Sequence, residues 1–290
     1  MMRQQADLPQ SSNIPAVLSD REFNRFSSFI YDEIGIKMPP VKKTMLEARL
    51  QKRLKALELR TFEEYGDYVF SSDDKRDELI HLIDVVTTNK TDFFREPAHF
   101  DYLVKAAIPT LIDDRDAGIR SPLKIWSAGC STGEEPYTLA MVLSEFSAAN
   151  PGFRTSILAS DISTEVLSKA RNAIYTEDRV DTIPLHLKKK YLLKSKDKAK
   201  GLVRIVPHLR SMIQFRRLNF MEDFGLHEHM DIIFCRNVII YFDKQTQERL
   251  LNRFCNQLVR GGYLFLGHSE TLNGLNVALN PVASTVYRKT

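Results

Sequence analysis

The chain has the size and composition of a globular protein with a substantial core: 290 residues, 43% hydrophobic and 27% charged. Its net charge is only +4, and no apolar run approaches the roughly 20 residues that a membrane-spanning helix needs. The N-terminus lacks the charged and then apolar pattern of a secretion signal, so we expect a cytoplasmic protein. Residues 1–17 are polar and contain two prolines, which predicts a disordered tail.

Four amphipathic helices are predicted after this tail. Capping boxes at 19–22 and 61–64 mark the starts of the first and third helices. The first helix ends at Gly35, the second opens at the proline pair 39–40, and the fourth is predicted at 73–86. Together they predict a small helical domain.

The second predicted helix carries a cluster of positive charge. Between residues 37 and 60 there are eight lysines or arginines and only two acids. Lys42, Arg49 and Arg53 recur at spacings of one or two helical turns and form a basic ridge. A solvated helix face would explain this pattern, and so would a surface that binds a negatively charged partner.

A polar and aromatic stretch at 87–96 separates the helical region from the rest of the chain. It has no clear periodicity, yet it contains two phenylalanines and an arginine, which a plain linker would rarely have. Loops held on a rigid frame often carry function, so we expect a functional segment here. Residues 97–117 are predicted to be helical, with a bend at Pro109.

From residue 123 onward, strands alternate with helices, as in an α/β fold. A strand at 123–126, a glycine-containing turn and a helix at 137–149 form the layout of a nucleotide-type binding crevice. Glu134 and Glu135 occupy the first helical turn, where they would repel the pyrophosphate of a dinucleotide. They would suit an adenosine-bearing cation such as a sulfonium, although acidic residues also favour a helix start by themselves.

Two further strand ends carry polar side chains. The strand at 156–160 ends at Asp161, and an acidic residue at this place hydrogen-bonds ribose hydroxyls. The buried strand at 231–235 is followed by Arg236 and Asn237, at the edge of the sheet where ligands bind. The other elements predicted here are helices at 164–175 and 244–258, a turn at 261–262, and strands at 263–267 and 284–288.

The segment between the helix that ends near Tyr175 and the strand at 231–235 is unusually long. Residues 201–206 and 212–218 predict strands of a small antiparallel insertion, which could dock a partner or be a simple excursion of the chain. His227 and His229 have no partner cluster at ligand spacing, and the three cysteines are widely separated, so no metal site is predicted.

Five motifs identify a family by their order and spacing. They are T-T-N-x-T-x-F-F-R-E (87–96), W-S-A-G-C-S-T-G-E-E-P-Y (126–137), A-S-D-I-S (159–163), F-C-R-N-V-I-I-Y-F (234–242) and G-H-S-E (267–270). With them the sequence resembles the CheR family, the chemotaxis receptor glutamate O-methyltransferases, from about residue 19 to the C-terminus.

This resemblance implies a Rossmann-like class I methyltransferase domain of the α/β class, with a small antiparallel β-subdomain and an all-α N-terminal domain. It implies S-adenosyl-L-methionine as methyl donor, S-adenosyl-L-homocysteine as product, and glutamate side chains of chemoreceptor cytoplasmic helices as acceptors. The implied divisions are a tail (1–17), a helical receptor-recognition domain (18–88), a linker with helices (89–122), and a methyltransferase domain (123–290) whose β-subdomain covers about 185–218.

The resemblance also implies roles for individual residues. The implied cofactor-binding residues are Asn89, Thr91, Arg95, Gly129, Glu135, Asp161, Asn219, Phe220, Arg236 and Asn237. Arg95 and Tyr241 would lie nearest the transferred methyl group, whereas Glu134 remains a helix-start residue. Receptor methylation segments are rich in glutamate, which makes basic residues of the second helix candidates for recognising them: Lys42, Arg49, Lys52, Arg53 and Lys55.

Two alternatives stay open at this point. The basic runs would suit a nucleic-acid methyltransferase, but 236–239 differs from the Pro-Pro-aromatic motif of exocyclic-amine enzymes, and the ridge lacks interleaved aromatic residues. The second alternative is a non-catalytic scaffold that senses the cofactor.

Some members of the family bind a receptor C-terminal peptide through a glycine-rich turn of the β-subdomain. Here 194–201 is lysine-rich with a single glycine, which predicts independence from such a tether.

Overall fold

The computed structural model describes residues 16–70 and 76–290, whose contacts form two compact units. The first unit, called the helical unit here, comprises the chain up to Phe29 together with Met38–Val86. The second, the sheet unit, comprises Ile30–Lys37 and Thr87–Thr290. Within the described ranges, every helix is too short or too polar to cross a membrane.

The predicted helices of the first region are confirmed where the structure describes them. They are α1 (Asp20–Ile34), α2 (Lys43–Leu57, after a 3₁₀ turn at Pro40–Lys42), α3 (Phe62–Phe70) and α4 (Arg76–Val86). The predicted tail at 1–15 and the predicted start of the fourth helix at 73–75 lie outside the described residues.

Both capping predictions are supported by hydrogen bonds. The Ser19 hydroxyl accepts from the Glu22 amide at 3.1 Å. At α3 the box is reciprocal: the Thr61 hydroxyl accepts from the Glu64 amide, and the Glu64 carboxylate accepts from the Thr61 amide. Each cap satisfies amides that the first helical turn leaves without partners, which fixes where the helix starts.

An apolar stripe on α2 and an ion pair between α2 and α4 help to hold the helical unit together. Leu46, Leu50 and Leu54 of α2 are buried, and complete burial of one such side chain stabilises by about 2 kcal/mol. Arg53 lies beside this stripe and binds both carboxylate oxygens of Glu78 on α4, at 2.9 and 2.7 Å.

The sheet unit contains ten strands and seven α-helices among its described residues, apart from the last turn of α1. The strands are β1 (Leu123–Ala128), β2 (Thr155–Asp161), β3 (Ile174–Thr176), β4 (Leu192–Lys194), β5 (Leu202–Ile205), β6 (Ile213–Arg217), β7 (Met230–Cys235), β8 (Leu258–Leu266), β9 (Leu279–Ala283) and β10 (Val286–Lys289). The helices are α5 (Ala98–Tyr102), α6 (Ile108–Arg115), α7 (Glu134–Ala149), α8 (Thr164–Asn172), α9 (Leu185–Tyr191), α10 (Pro207–Ser211) and α11 (Lys244–Gln257). A π-helical turn at Leu103–Ala107 joins α5 to α6 just before Pro109.

The main sheet has the order β6-β2-β1-β7-β8-β10-β9. Its first five strands are parallel, and β10 pairs antiparallel with both β8 and β9. The chain leaves β1 for β2 on one side and reaches β7 on the other, so the strand order reverses at β1. Ligands bind beyond the carboxyl ends of the strands at such a switch point. The α/β fold class is therefore confirmed.

Two predictions about the long segment after β2 are wrong. The stretch at 212–218 contains β6, which pairs in parallel with β2 in the main sheet instead of belonging to the insertion. The predicted helix at 164–175 ends at Asn172, because Ala173 turns left-handed at φ +54° and Tyr175 enters β3. The small antiparallel sheet has the order β3-β5-β4.

Two predictions near the C-terminus also need correction. Gly261 and Gly262 lie within β8, which starts directly after α11, instead of forming a turn. A Cβ on Gly262 would approach the Asp231 carbonyl oxygen to 2.8 Å, so this glycine permits the close packing of two strands. The sequence also missed β9, which pairs with β10 at the edge of the sheet.

Candidate functional site

A cleft lies at the carboxyl ends of β1, β2 and β7. All eleven residues that the resemblance assigns to the cofactor or to the methyl group line this cleft. They are Asn89, Thr91, Arg95, Gly129, Glu135, Asp161, Asn219, Phe220, Arg236, Asn237 and Tyr241. Their proposed individual roles stay predictions. The cleft is also lined by residues that were not assigned to it in advance: Ser131, Ile162, Val238 and Phe242, which lie within the family motifs, and Phe100, which lies outside them.

The glycine turn after β1 brings the backbone close to the cleft. Gly129 has φ +84°, and a Cβ there would approach Val238 Cγ2 to 2.5 Å, so only glycine fits without a shift. The next turn residues orient Asp161: the Ser131 amide donates to its Oδ2 at 2.8 Å. The Ser163 amide donates to its Oδ1 at 3.0 Å, so both carboxylate oxygens have fixed positions at the end of β2.

A buried arginine between two carboxylates forms the charged centre of the cleft, and we call Arg236, Glu96 and Glu135 the Arg236 cluster. Arg236 Nη1 donates to Glu135 Oε2 at 3.2 Å, and Arg236 Nη2 donates to Glu96 Oε2 at 3.0 Å. It also donates to the Arg95 carbonyl oxygen. The cluster joins one cation to two carboxylates, which leaves a negative charge that favours a cationic ligand.

The surroundings shift the pKa values of the two carboxyl groups of the cluster in opposite directions. Burial raises the pKa of Glu135, although Arg236 and the Ser127 hydroxyl, which donates at 2.7 Å, oppose this effect. Burial also disfavours charge on Glu96, but Arg236 and the His268 amide hold its pKa below the usual value. Glu96 therefore anchors Arg236, while Glu135 is the carboxyl group of the pair that lines the cleft.

The G-H-S-E motif shapes the loop after β7. The Glu270 carboxylate is buried and accepts from the amides of Asn237, Val238, Ile239 and Gly267, at 2.6 to 2.9 Å. Burial raises the pKa of Glu270, and these four hydrogen bonds oppose the rise. They hold Asn237 at φ +60°, a conformation that most residues avoid. The role of Glu270 was not predicted, because three of its four partners lie more than 30 residues earlier in the chain.

The linker segment (residues 87–95) forms another side of the cleft. The Ser131 hydroxyl donates to the Asn89 carbonyl oxygen at 2.8 Å, which ties this segment to the glycine turn. Phe93 is fully buried, so it anchors the segment in the core. Arg95 donates to the Lys90 carbonyl oxygen at 3.1 Å and leaves its side chain partly exposed at the cleft.

The last side of the cleft is partly aromatic and involves the end of α1. The Asn219 side chain donates to the Glu33 carbonyl oxygen at 2.8 Å, and the Lys37 amide donates to the Tyr241 carbonyl oxygen at 3.0 Å. Phe220 packs edge to face against Phe254. This side combines apolar surface with polar groups, as binding sites for small molecules usually do.

Glu134 is placed as the sequence predicted. It is 1% exposed and accepts from the Thr132 hydroxyl and from Arg179, both at 2.6 Å. These contacts lie at the start of α7, so Glu134 has a structural role there.

Within the described ranges, one group of side chains could offer three metal ligands close together. These are Glu96, His99 and His268, whose ligand atoms lie within 4.8 Å of one another. The guanidinium of Arg236 already binds Glu96, and its positive charge helps to lower the pKa of the buried His99 to about 4. Glu96 is thus already paired with a cation, and we assign no metal to this group.

The five candidates for substrate recognition lie on α2 or just before it, and they differ in their contacts. Lys52 and Lys55 are exposed. Arg53 is committed to Glu78, and Arg49 donates to the Val86 carbonyl oxygen. Lys42 ends the 3₁₀ turn and is partly exposed. Lys52 and Lys55 thus face the solvent, whereas Arg49 and Arg53 also stabilise the helical unit.

Comparison with known proteins gives the same family for both parts of the chain. Residues 89–288 match the model described as "CheR methyltransferase, SAM binding domain", and residues 21–87 match "CheR methyltransferase, all-alpha domain". A chemotaxis protein methyltransferase of Borreliella burgdorferi is 40% identical, covering 96% of this chain and 97% of its own. One of Escherichia coli is 38% identical, covering 93% and 91%.

Proposed function

The chain belongs to the CheR methyltransferase family, and we propose that it methylates glutamate side chains of chemoreceptor cytoplasmic helices. It is an S-adenosylmethionine-dependent methyltransferase of chemotaxis, with an α/β cofactor-binding domain and an all-α N-terminal domain. The acceptor residue and the roles of individual side chains are the proposal. We also propose that it acts in the cytoplasm, where the methylated segments of such receptors lie.

One observation carries the proposal: a single cleft brings together every residue expected to contact the cofactor or the methyl group. S-adenosylmethionine carries a sulfonium and an ammonium. The excess negative charge of the Arg236 cluster would stabilise such a cation, with Glu135 as the carboxylate facing the ligand. Asp161, held by two amides, would accept hydrogen bonds from the ribose hydroxyls.

The chemistry of a glutamate acceptor needs few catalytic groups. A glutamate side chain has a reference pKa of about 4.3, so it is an anionic nucleophile at neutral pH and needs no general base. Its oxygen attacks the methyl carbon while the bond from carbon to sulfur breaks, and the charges of carboxylate and sulfonium disappear together. The protein must therefore remove water from the carboxylate and align oxygen, carbon and sulfur.

Arg95 and Tyr241 are the candidates for this alignment. Arg95 would orient the acceptor carboxylate, and its hydrogen bond to the Lys90 carbonyl oxygen limits where the guanidinium can move. Tyr241 would hydrogen-bond the carboxylate or contact the methyl group. Binding the carboxylate too tightly would stabilise the ground state and slow transfer, so we assign Arg95 to positioning.

The charge on α2 supports an acidic helical partner. Glutamate-rich receptor helices would be attracted by Lys42, Arg49, Lys52, Arg53 and Lys55. We expect Lys52 and Lys55 to contribute most to the association rate, since both are solvent-exposed. Raising the salt concentration should then weaken the association of the wild-type protein more than that of a Lys52→Ala/Lys55→Ala variant.

We further propose that the enzyme does not require a peptide tether at the receptor C-terminus. The support is the lysine-rich segment at 194–201, whose single glycine is Gly201. Titration calorimetry with receptor C-terminal pentapeptides should give no binding heat, and measurable affinity would contradict this part.

A labelled-methyl assay tests the proposed function directly. The purified protein should transfer label from S-adenosylmethionine to a chemoreceptor cytoplasmic fragment, and mild base should release the label as methanol, since glutamate methyl esters are base-labile. A fragment whose methylatable glutamates are changed to alanine is the matched acceptor control. Label on RNA would instead indicate a nucleic-acid methyltransferase. Cofactor binding without any transfer would indicate a non-catalytic scaffold, and both outcomes would overturn the proposal.

A further inference from the structure

Arg179 lies outside the set of residues expected to bind the cofactor, yet it donates hydrogen bonds to the linker segment. It belongs to a 3₁₀ turn, Glu177–Val180, which follows β3 of the small sheet. Its Nη2 donates to the Thr91 carbonyl oxygen at 2.6 Å, and its Nη1 donates to Asp92 Oδ1 at 3.2 Å. One guanidinium thus binds two consecutive residues that line the cleft.

The same guanidinium binds the start of α7. Its Nη2 donates to Glu134 Oε1 at 2.6 Å, and Glu134 is 1% exposed. A buried carboxylate that loses its cation is strongly destabilising, so this pair fixes the position of Arg179 relative to the glycine turn. Thr132, in that turn, donates its hydroxyl to the other oxygen of Glu134 at 2.6 Å.

Neighbouring contacts also hold the linker segment and the glycine turn in place. The Thr182 hydroxyl donates to the Phe93 carbonyl oxygen at 2.8 Å. The Tyr175 hydroxyl donates to the Thr132 carbonyl oxygen at 2.8 Å, and the Phe93 ring packs edge to face on Tyr175. The small sheet and its 3₁₀ turn therefore hold both the linker segment and the glycine turn, and Arg179 is the charged member of this support.

We infer that Arg179 is a positioning residue for the methyl donor: it fixes Thr91 and Asp92 against the Glu134 end of α7 and thereby sets the shape of the cofactor cleft. This inference deepens the proposed function and rests on its cleft. Arginine suits the task because its planar fork reaches three acceptors in fixed directions, which the single ammonium of lysine does not.

Calorimetric binding of S-adenosylhomocysteine by the full chain tests this role. Arg179→Ala should weaken binding roughly tenfold, since the loosened segment must be ordered again when the ligand binds. Arg179→Lys should recover only part of the loss. Arg120→Ala is the matched control, because Arg120 is an exposed arginine with a comparable contact, 2.8 Å from Asp116, and its loss should leave binding unchanged.

A double substitution separates positioning from plain stability. In Arg179→Ala/Glu134→Gln the buried carboxylate is no longer left without its cation, so the midpoint of urea unfolding should rise relative to Arg179→Ala. Affinity for S-adenosylhomocysteine should stay low, because the Thr91 contact is still missing. In the transfer assay, KM for the methyl donor should rise several times more than kcat falls.

Three results would overturn the inference: a folded Arg179→Ala protein with wild-type affinity, a double variant that regains both stability and affinity, or a kcat loss without any change in KM. If Arg179→Ala does not fold, Arg179→Lys and the double variant carry the same comparison. Failure of the proposed function would be distinct, since wild-type protein would then bind S-adenosylhomocysteine and leave the receptor unmethylated.

Discussion

Two arginines, one in each unit, are held by carboxylates, and they differ in charge balance. In the helical unit, Arg53 faces one carboxylate, Glu78, which also accepts from the Tyr65 hydroxyl at 2.8 Å. In the sheet unit, Arg236 faces two carboxylates, Glu96 and Glu135. The first group is electrically balanced without any ligand. The second has one more carboxylate than it has cations, and we propose that this excess makes it a binding site for a cation.

The largest expected effect comes from removing the excess charge. Glu135→Gln should weaken binding of S-adenosylmethionine roughly a thousandfold, or about 4 kcal/mol, because the remaining Arg236–Glu96 pair is balanced and the carboxylate that faces the cation is lost. Titration calorimetry measures the change. Glu145→Gln, on the exposed side of the same helix, is the control and should bind normally. Equal affinities for both variants would show that charge excess does not define the site.

Breaking the balanced Arg53–Glu78 pair should lower the stability of the protein and leave cofactor affinity unchanged. Glu78→Gln should lower the free energy of unfolding by about 3 kcal/mol, because Arg53 loses its charged partner in a largely buried position. Urea denaturation gives this value, and affinity for S-adenosylhomocysteine should be unchanged. A large loss of that affinity would mean that the two arginine groups are not independent.

The burial of His99 beside Arg236 should also be visible in the pH dependence of stability. Burial, assisted by Arg236, lowers the pKa of His99 from 6.5 to about 4. Between these values the unfolded chain binds a proton that the folded chain does not, so the free energy of unfolding falls as the pH drops from 6.5 towards 4.

After a discount for partial solvent screening, the expected loss over this pH range is about 2 kcal/mol. His99→Gln should remove that part of the pH dependence in urea titrations at successive pH values. His186→Gln replaces an exposed histidine and should keep the wild-type slope. If His99→Gln kept the wild-type dependence of stability on pH, the pKa of His99 would not be lowered in the folded protein.

A modest effect on binding is expected where a carboxylate supports backbone instead of a cation. Glu270→Gln turns one acceptor oxygen into an NH2 group that faces two amide donors, which should cost about 2 kcal/mol of stability. Binding of S-adenosylhomocysteine should weaken a few-fold, as Asn237 lines the cleft. Glu248→Gln, where one amide is accepted at 3.0 Å, is the control. Equal losses in the two variants would contradict this role of Glu270.

Much of the cleft was predictable from the sequence because its residues occur in compact motifs. The motif at 126–137 predicted the glycine turn and Glu135, and the motif at 87–96 predicted the linker residues. The functional meaning of these motifs came from their resemblance to a family, since spacing alone indicated only an adenosine-bearing cation. The individual roles of Arg95, Asp161 and Tyr241 remain to be tested.

The sequence by itself determined the features that depend on neighbours along the chain. Helix starts at Ser19 and Thr61 were predictable because the capping side chain and its amide are three residues apart. The tertiary structure alone decided the pairing of β6 with β2, the amides bound by Glu270, and the contacts of Arg179. Their partners lie about 30 to 90 residues away, so only the folded sheet, by reversing its strand order at β1, brings them together.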